Sequence, residues 1–207
     1  LLLEGAAPHQ LDQVLYDFGM PMGVIAMADL AGLDIGYRMR QALDETQYDV
    51  ESAYLYDNLV EMGRLGQKTG AGVYDYEPGD RTPKPSSITE KLLAEAAEKF
   101  NIKQREISEE EIIERCFFSL FNVGCNILHE GIAYRASDID TVYINGYGFP
   151  AWRGGPMHWA EHAVGLEKIL DRIREFADIH GDKYWKPSPL LEQLVADGGS
   201  LQDIQNT

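Results

Sequence analysis

An internal repeat limits what this chain can fold into more than any other feature. Glu4-Gly5, Leu11-Asp12-Gln13-Val14 and Gly19-Met20-Pro21 are answered by Glu130-Gly131, Ile139-Asp140-Thr141-Val142 and Gly148-Phe149-Pro150. The order holds further on: Ala28-Asp29 matches Ala160-Glu161, Gly32-Leu33 matches Gly165-Leu166, and Asn58-Leu59-Val60 with Gly63 matches Gln193-Leu194-Val195 with Gly198. The offset drifts from 126 to 135 residues, so small insertions accumulate between the copies. Two copies are too few for a solenoid, in which each unit leans only on its neighbours. The pattern therefore predicts two related domains. Residues 77–87 (Glu-Pro-Gly-Asp-Arg-Thr-Pro-Lys-Pro-Ser-Ser) lack apolar periodicity and are rich in chain-breaking residues, which marks a connection. The expected organisation is a first domain over 1–77, a linker over 78–90 and a second domain over 91–207.

Apolar residues recur at helical spacing through most of the sequence. The clearest segment runs from Ser108 to Glu130, where Ser108 and Glu111 form a capping-box pattern ahead of Ile112, Ile113, Cys116, Phe117, Leu120 and Phe121. Other helices are expected near 8–18, 24–44, 51–63, 88–99, 137–144, 154–163, 165–179 and 188–197. Strand-like material is limited to Gly72-Val73-Tyr74-Asp75-Tyr76, so the fold class is mainly α. The two cysteines, Cys116 and Cys125, lie nine residues apart on one expected helix and face roughly opposite sides. They cannot pair within it and read as reduced, structural thiols.

Eighteen Lys and Arg stand against 34 Asp and Glu, a net charge of −16. Such a surface repels nucleic-acid backbones and anionic membranes. No apolar run approaches the roughly 20 residues that span a bilayer. Leu1-Leu2-Leu3 lacks the basic flank and cleavage pattern of a signal peptide. These features lead to the expectation of a cytoplasmic protein, and the start without Met to that of a piece of a longer one.

Three stretches carry a family resemblance. They are Gly19-Met20-Pro21-Met22-Gly23 followed by Ala28-Asp29-Leu30-Ala31-Gly32-Leu33-Asp34; residues 66–74, Gly-Gln-Lys-Thr-Gly-Ala-Gly-Val-Tyr; and residues 146–157, which run from Gly146-Tyr147-Gly148-Phe149-Pro150 through Trp152-Arg153-Gly154-Gly155-Pro156-Met157. In these the chain resembles the C-terminal region of the 3-hydroxyacyl-CoA dehydrogenase family, and its tandem copies resemble the multifunctional branch that fuses an enoyl-CoA hydratase to the dehydrogenase. The resemblance implies two tandem helical domains like the C-terminal domain of 6-phosphogluconate dehydrogenase. It implies a role in closing over an acyl-CoA and in packing domains or a homodimer. It also implies that NAD and the catalytic His–Glu pair belong to an N-terminal NAD-binding domain. No strand–GxGxxG–helix unit occurs here, and the family's site Asn falls upstream of Leu1. No catalytic or cofactor-binding residue is therefore assigned to this chain, and it is expected to be inactive alone.

Several segments invite a site. Met20, Pro21, Met22 and Gly23 form a turn whose soft Met side chains suit a flexible acyl chain, and they are the expected substrate-binding residues. A core-packed helix-entry turn explains the same pattern. Lys68 in the glycine-rich 66–72 segment could approach a CoA phosphate, although a plain turn accounts for it as well. Arg153 is expected to tie domains together, and Tyr143, Tyr147, Phe149, Trp152 and Trp159 to pack. His158-Trp159-Ala160-Glu161-His162 matches H-x-x-E-H, in which two histidines one turn apart could share zinc with Glu161 as general base. A zinc hydrolase is thus the alternative, weakened because the repeat sets Ala160-Glu161 on Ala28-Asp29.

Overall fold

The computed structural model describes residues 1–204, and two compact units account for them. Residues 1–18 and 22–109 form the first; residues 19–21 and the chain from Glu110 onward form the second. The expected 78–90 linker falls inside the first unit. Within it Asp75 and Lys84 exchange backbone hydrogen bonds of 2.9 and 3.0 Å, and Pro85 and Ser86 lead straight into a helix that packs on its predecessor. The division by contacts comes instead at the start of the helix that opens at Glu109.

The first unit contains α1 (Pro8–Phe18), α2 (Val24–Ala31), α3 (Asp34–Gln41), α4 (Val50–Glu61) and α5 (Ser87–Lys99). α1 buries Leu11, Val14, Leu15 and Phe18, an i, i+3, i+4, i+7 stripe. The helix expected over 24–44 is broken. Gly32, at φ +102 and ψ 121, leaves helical space where a residue with a Cβ would be strained, and α3 begins two residues later. Asp49 starts α4 by accepting hydrogen bonds from the Glu51 and Ser52 amides. The strand expected at 72–76 is not formed; isolated bridges Gly66–Ala71, Ala71–Asp75 and Asp75–Lys84 take its place. Arg64 clamps that loop, donating to the Gly72 carbonyl at 3.0 Å, to Asp75 at 2.7 Å and to Ser86 Oγ at 2.9 Å.

The second unit is built on α6 (Glu109–His129), with α7 (Ala136–Gly146), α8 (Pro156–Trp159), α9 (Leu166–His180), α10 (Asp182–Trp185) and α11 (Pro189–Asp197). α6 buries Ile112, Phe117, Phe118, Phe121, Cys125 and Leu128, and α9 buries Ile169, Leu170, Ile173 and Phe176. Phe117 meets Phe149 and Trp159 edge-on at 5.7 and 5.6 Å, the geometry that ring quadrupoles favour. Gly124 lets α6 approach Met157, whose sulfur would lie 2.5 Å from an added Cβ. Buried Glu114 is held by Arg172, with N–O distances of 2.7 and 2.8 Å. Asn122 accepts from the Ser188 amide and donates to the Lys186 carbonyl, fixing the entry to α11.

Between α8 and α9 the chain makes one π turn over Ala160–Val164. The repeat explains it. In the first unit the Gly32 amide bonds to the Ala28 carbonyl, four residues back; in the second the Gly165 amide bonds to the Ala160 carbonyl, five back, each at 2.9 Å. One residue has been inserted between two preserved landmarks, and a π turn absorbs it without shifting either end. A second insertion, the 3₁₀ turn Ala151–Arg153, lengthens the loop before α8.

Candidate functional site

Each unit joins two helices through a carboxylate. In the first, Asp12 on α1 accepts hydrogen bonds from the amides of Ile25 (2.8 Å) and Ala26 (2.9 Å), capping α2 from outside its own sequence. In the second, Asp140 on α7 accepts from Met157 N at 2.7 Å and, at 3.3 Å or more, from His158 N, capping α8. Both arrangements need a glycine before the helix. A Cβ on Gly23 would lie 2.1 Å from Asp12 Cγ, and one on Gly155 would lie 2.3 Å from Asp140 Cβ.

A second carboxylate sits one turn further on. Asp29 is fully buried and accepts from Val73 N, Tyr74 N and Tyr76 Oη, all at 2.9 Å, while Tyr74 Oη donates to Asp12 at 2.8 Å. The two tyrosines thus lace α1, α2 and the 66–76 loop together. Burial pushes the Asp29 carboxyl up, against the donors that hold it down, and burial beside Asp12 and Asp29 pushes the Tyr74 and Tyr76 hydroxyls up as well. Tyr56 is raised to about 12 by burial and the same two carboxylates. The Tyr74 and Tyr76 phenols are fixed donors rather than proton-transfer groups at neutral pH. Asp12 and Asp29 stand in the repeat, but their partners in the 73–76 segment lie 44 to 62 residues away, and residue spacing alone does not connect them.

Met20, Pro21, Met22 and Gly23 are divided between the two units. Residues 19–21 belong to the second unit, where Pro21 lies against Gly148, whose added Cβ would be 2.5 Å from Pro21 Cγ. Gly23 is packed under Asp12, and Met22 is exposed. Further exposed apolar side chains of the first unit follow: Val24, Met27 and Leu30 on α2, then Ile35 and Met39 on α3. Lys68 is held by Asp34, whose carboxyl is thereby kept below the usual range. Gly66 and Gly72 face Asp29, so the glycine-rich loop wraps an anion of its own chain and makes no phosphate cradle. Arg153 stacks on Trp152 at 4.1 Å, and Trp152 is 74% exposed rather than packed.

Nothing among the described residues supports the zinc reading of His158, Glu161 and His162. The imidazoles meet edge-on with centroids 4.4 Å apart, and Glu161 Oε1 accepts from the Leu201 amide at 2.8 Å. Glu161 therefore repeats the structural role of Asp29, as the repeat register implies. Among the described residues no group of three or more His, Cys, Asp or Glu is placed to hold a metal ion.

Comparison with known proteins agrees with this two-copy architecture. The family model described as 3-hydroxyacyl-CoA dehydrogenase, C-terminal domain, matches residues 1–76 and 112–202. The peroxisomal bifunctional enzymes of Danio rerio and Homo sapiens are 44% and 40% identical over 96% of the chain, which spans 29% of each. The peroxisomal fatty acid beta-oxidation multifunctional protein AIM1 of Arabidopsis thaliana is 31% identical over 98% of the chain and 28% of its own length. The chain thus spans under a third of the curated relatives it matches. Among solved structures, the dehydrogenase part of multifunctional enzyme 1 from C. elegans superposes with a TM-score of 0.72 at 25% identity, covering 93% of this chain and 43% of that one. The 3-hydroxybutyryl-CoA dehydrogenase of Escherichia coli shares the fold at a TM-score of 0.66 and 20% identity, over 94% of this chain and 56% of that one. The peroxisomal relatives overturn the expectation of a cytoplasmic protein. Net charge and the lack of a long apolar run describe how a surface is solvated, whereas an organelle address is a short signal read by a receptor.

Proposed function

Because the chain belongs to the 3-hydroxyacyl-CoA dehydrogenase C-terminal domain family, we propose that it serves as the helical, non-catalytic region of a peroxisomal multifunctional enzyme of fatty-acid β-oxidation. In that enzyme 3-hydroxyacyl-CoA would be oxidised to 3-ketoacyl-CoA with NAD held by another part. The 44% identity to a bifunctional enzyme across 96% of the chain carries this reading. The chain's own work is to pack domains and to border the acyl group. The exposed apolar side chains of α2 and α3 support it: Val24, Met27, Leu30, Ile35 and Met39 offer a face of the kind that another folded surface or an acyl chain covers. Within the Met20–Gly23 turn, Met20 and Met22 are the residues proposed to meet the acyl chain, since Pro21 and Gly23 lie against Gly148 and Asp12.

The test is reconstitution. The purified chain should show no oxidation of NADH with acetoacetyl-CoA. Put in place of the matching 29% of the Danio rerio relative, it should restore turnover. Activity of the chain alone, or a folded fusion with no turnover, would defeat the proposal.

A further inference from the structure

Since the two units are copies, each shows what the other's carboxylates are shaped to hold. Asp12, Ile25, Ala26, Asp29 and Val73 correspond to Asp140, Met157, His158, Glu161 and Leu201. The shared bonds prove the register: Asp12 and Asp140 cap the following helix, and Asp29 and Glu161 accept the amides of Val73 and Leu201. In the first unit Tyr74, only 2% exposed, reaches both carboxylates: its amide donates to Asp29 Oδ2 at 2.9 Å and its hydroxyl to Asp12 Oδ2 at 2.8 Å.

The residue at that place in the second unit is Gln202. Its side chain turns to His162, with Nε2 to Nε2 3.4 Å apart, and its amide goes to Ser200 Oγ instead of to Glu161. Among the described residues that line the space beside Asp140 and Glu161 there is no phenol. A cavity of about 320 Å³ remains there, lined by Asp140, Met157, His158, Glu161, Leu201 and Ile204 among others. Asp140 Oδ2, the counterpart of the oxygen that takes the Tyr74 hydroxyl, has a bond from His158 N at 3.3 Å. Arg135 also lines the cavity, but its guanidinium is engaged by Asp138 at 2.8 Å.

We propose that this cavity is a binding site for a phenolic group, which donates its hydroxyl to Asp140 as Tyr74 does to Asp12. The walls fit that chemistry. The aliphatic side chain of Ile204 and the imidazoles of His158 and His162 line the cavity beside the carboxylate acceptor of Asp140. A phosphate or carboxylate ligand would meet Asp140 and Glu161 and be repelled.

The probe is p-cresol, the side chain of tyrosine as a free molecule, titrated into the intact chain while the ring protons of His158 and His162 are followed by NMR. Saturable shifts of both are expected. Toluene, which keeps the ring and loses the donor, should bind at least about tenfold more weakly, the factor a hydrogen bond to a carboxylate contributes. Gln202→Tyr should supply the ring from within and abolish cresol binding; Asp140→Asn should weaken it. N-acetyltyrosinamide separates the sources: shifts like those of cresol mean that the site admits a tyrosine side chain of another chain, and no shifts mean a small phenol. Absence of saturation, equal binding of toluene, or undiminished binding in Gln202→Tyr would overturn the proposal. Should that variant misfold, the toluene comparison decides alone.

Discussion

At the scale of single residues, glycines and carboxylates act as pairs. Gly23 has an ordinary φ of −72, so Gly23→Ala fails only by collision with Asp12 and should cost about 1–3 kcal/mol. Gly155→Ala adds a φ of +103 to the same collision and should cost roughly 1 kcal/mol more, measurable by urea unfolding. Asp29→Asn puts an amide group among three donors and should lose roughly 3 kcal/mol in the same assay. The sign of the pH effect at Asp140 follows from burial, which raises its carboxyl above the ordinary 3.8 despite the helix amides. A raised native value means that the folded state holds the proton longer, so this group's contribution to stability is greatest in acid and falls as pH rises through the raised value. The deficit of Asp140→Asn relative to wild type should therefore shrink as pH rises from about 4. The thiols behave as packing groups. Burial pushes Cys116 up to about 11 and Cys125 higher still, so neither should react with a disulfide reagent near pH 8 until the chain unfolds.

At the scale of elements, periodicity located most helices and missed where they break. α1 spans its expected 8–18, and α6 lies within 108–130, because a wide apolar stripe leaves one way to bury it. The segment 24–44 shows no break in periodicity, yet Gly32 ends α2. The cause is tertiary: Gly32 N bonds back to Ala28 while Leu33 N bonds to Leu65 O, so the chain turns to meet the loop ahead of Gly66. The π turn gives a direct test. Deleting exposed Ala163 would return Gly165 to four residues beyond Ala160, the spacing used in the first unit, and should leave the fold intact within roughly 1–2 kcal/mol. Deleting one residue from the middle of α9, where no such slack exists, should unfold the second unit. Circular dichroism on thermal melting distinguishes the two. In α6, Phe121→Ala at a fully buried position should cost about 3–5 kcal/mol.

At the scale of the whole molecule, the exposed apolar face of α2 and α3 has a solution consequence. Without the remainder of a multifunctional enzyme to cover it, the chain should self-associate, and Met27→Glu with Met39→Glu should lower the mass seen by light scattering toward that of one chain. An unchanged mass would remove that face from domain and dimer packing. The sequence by itself determined the helical class, the doubled architecture and the family, because these rest on periodic apolar patterning and on glycines whose backbone geometry no other residue adopts cheaply. It marked Asp12, Asp29, Asp140 and Glu161 as repeated without saying what they hold. Only the tertiary structure decided that. Their partners are backbone amides and phenols far along the chain, and a hydrogen bond between such groups depends on distances that folding sets. For the same reason H-x-x-E-H spelled a zinc site in one dimension and became, in three, a glutamate bonded to Leu201 N.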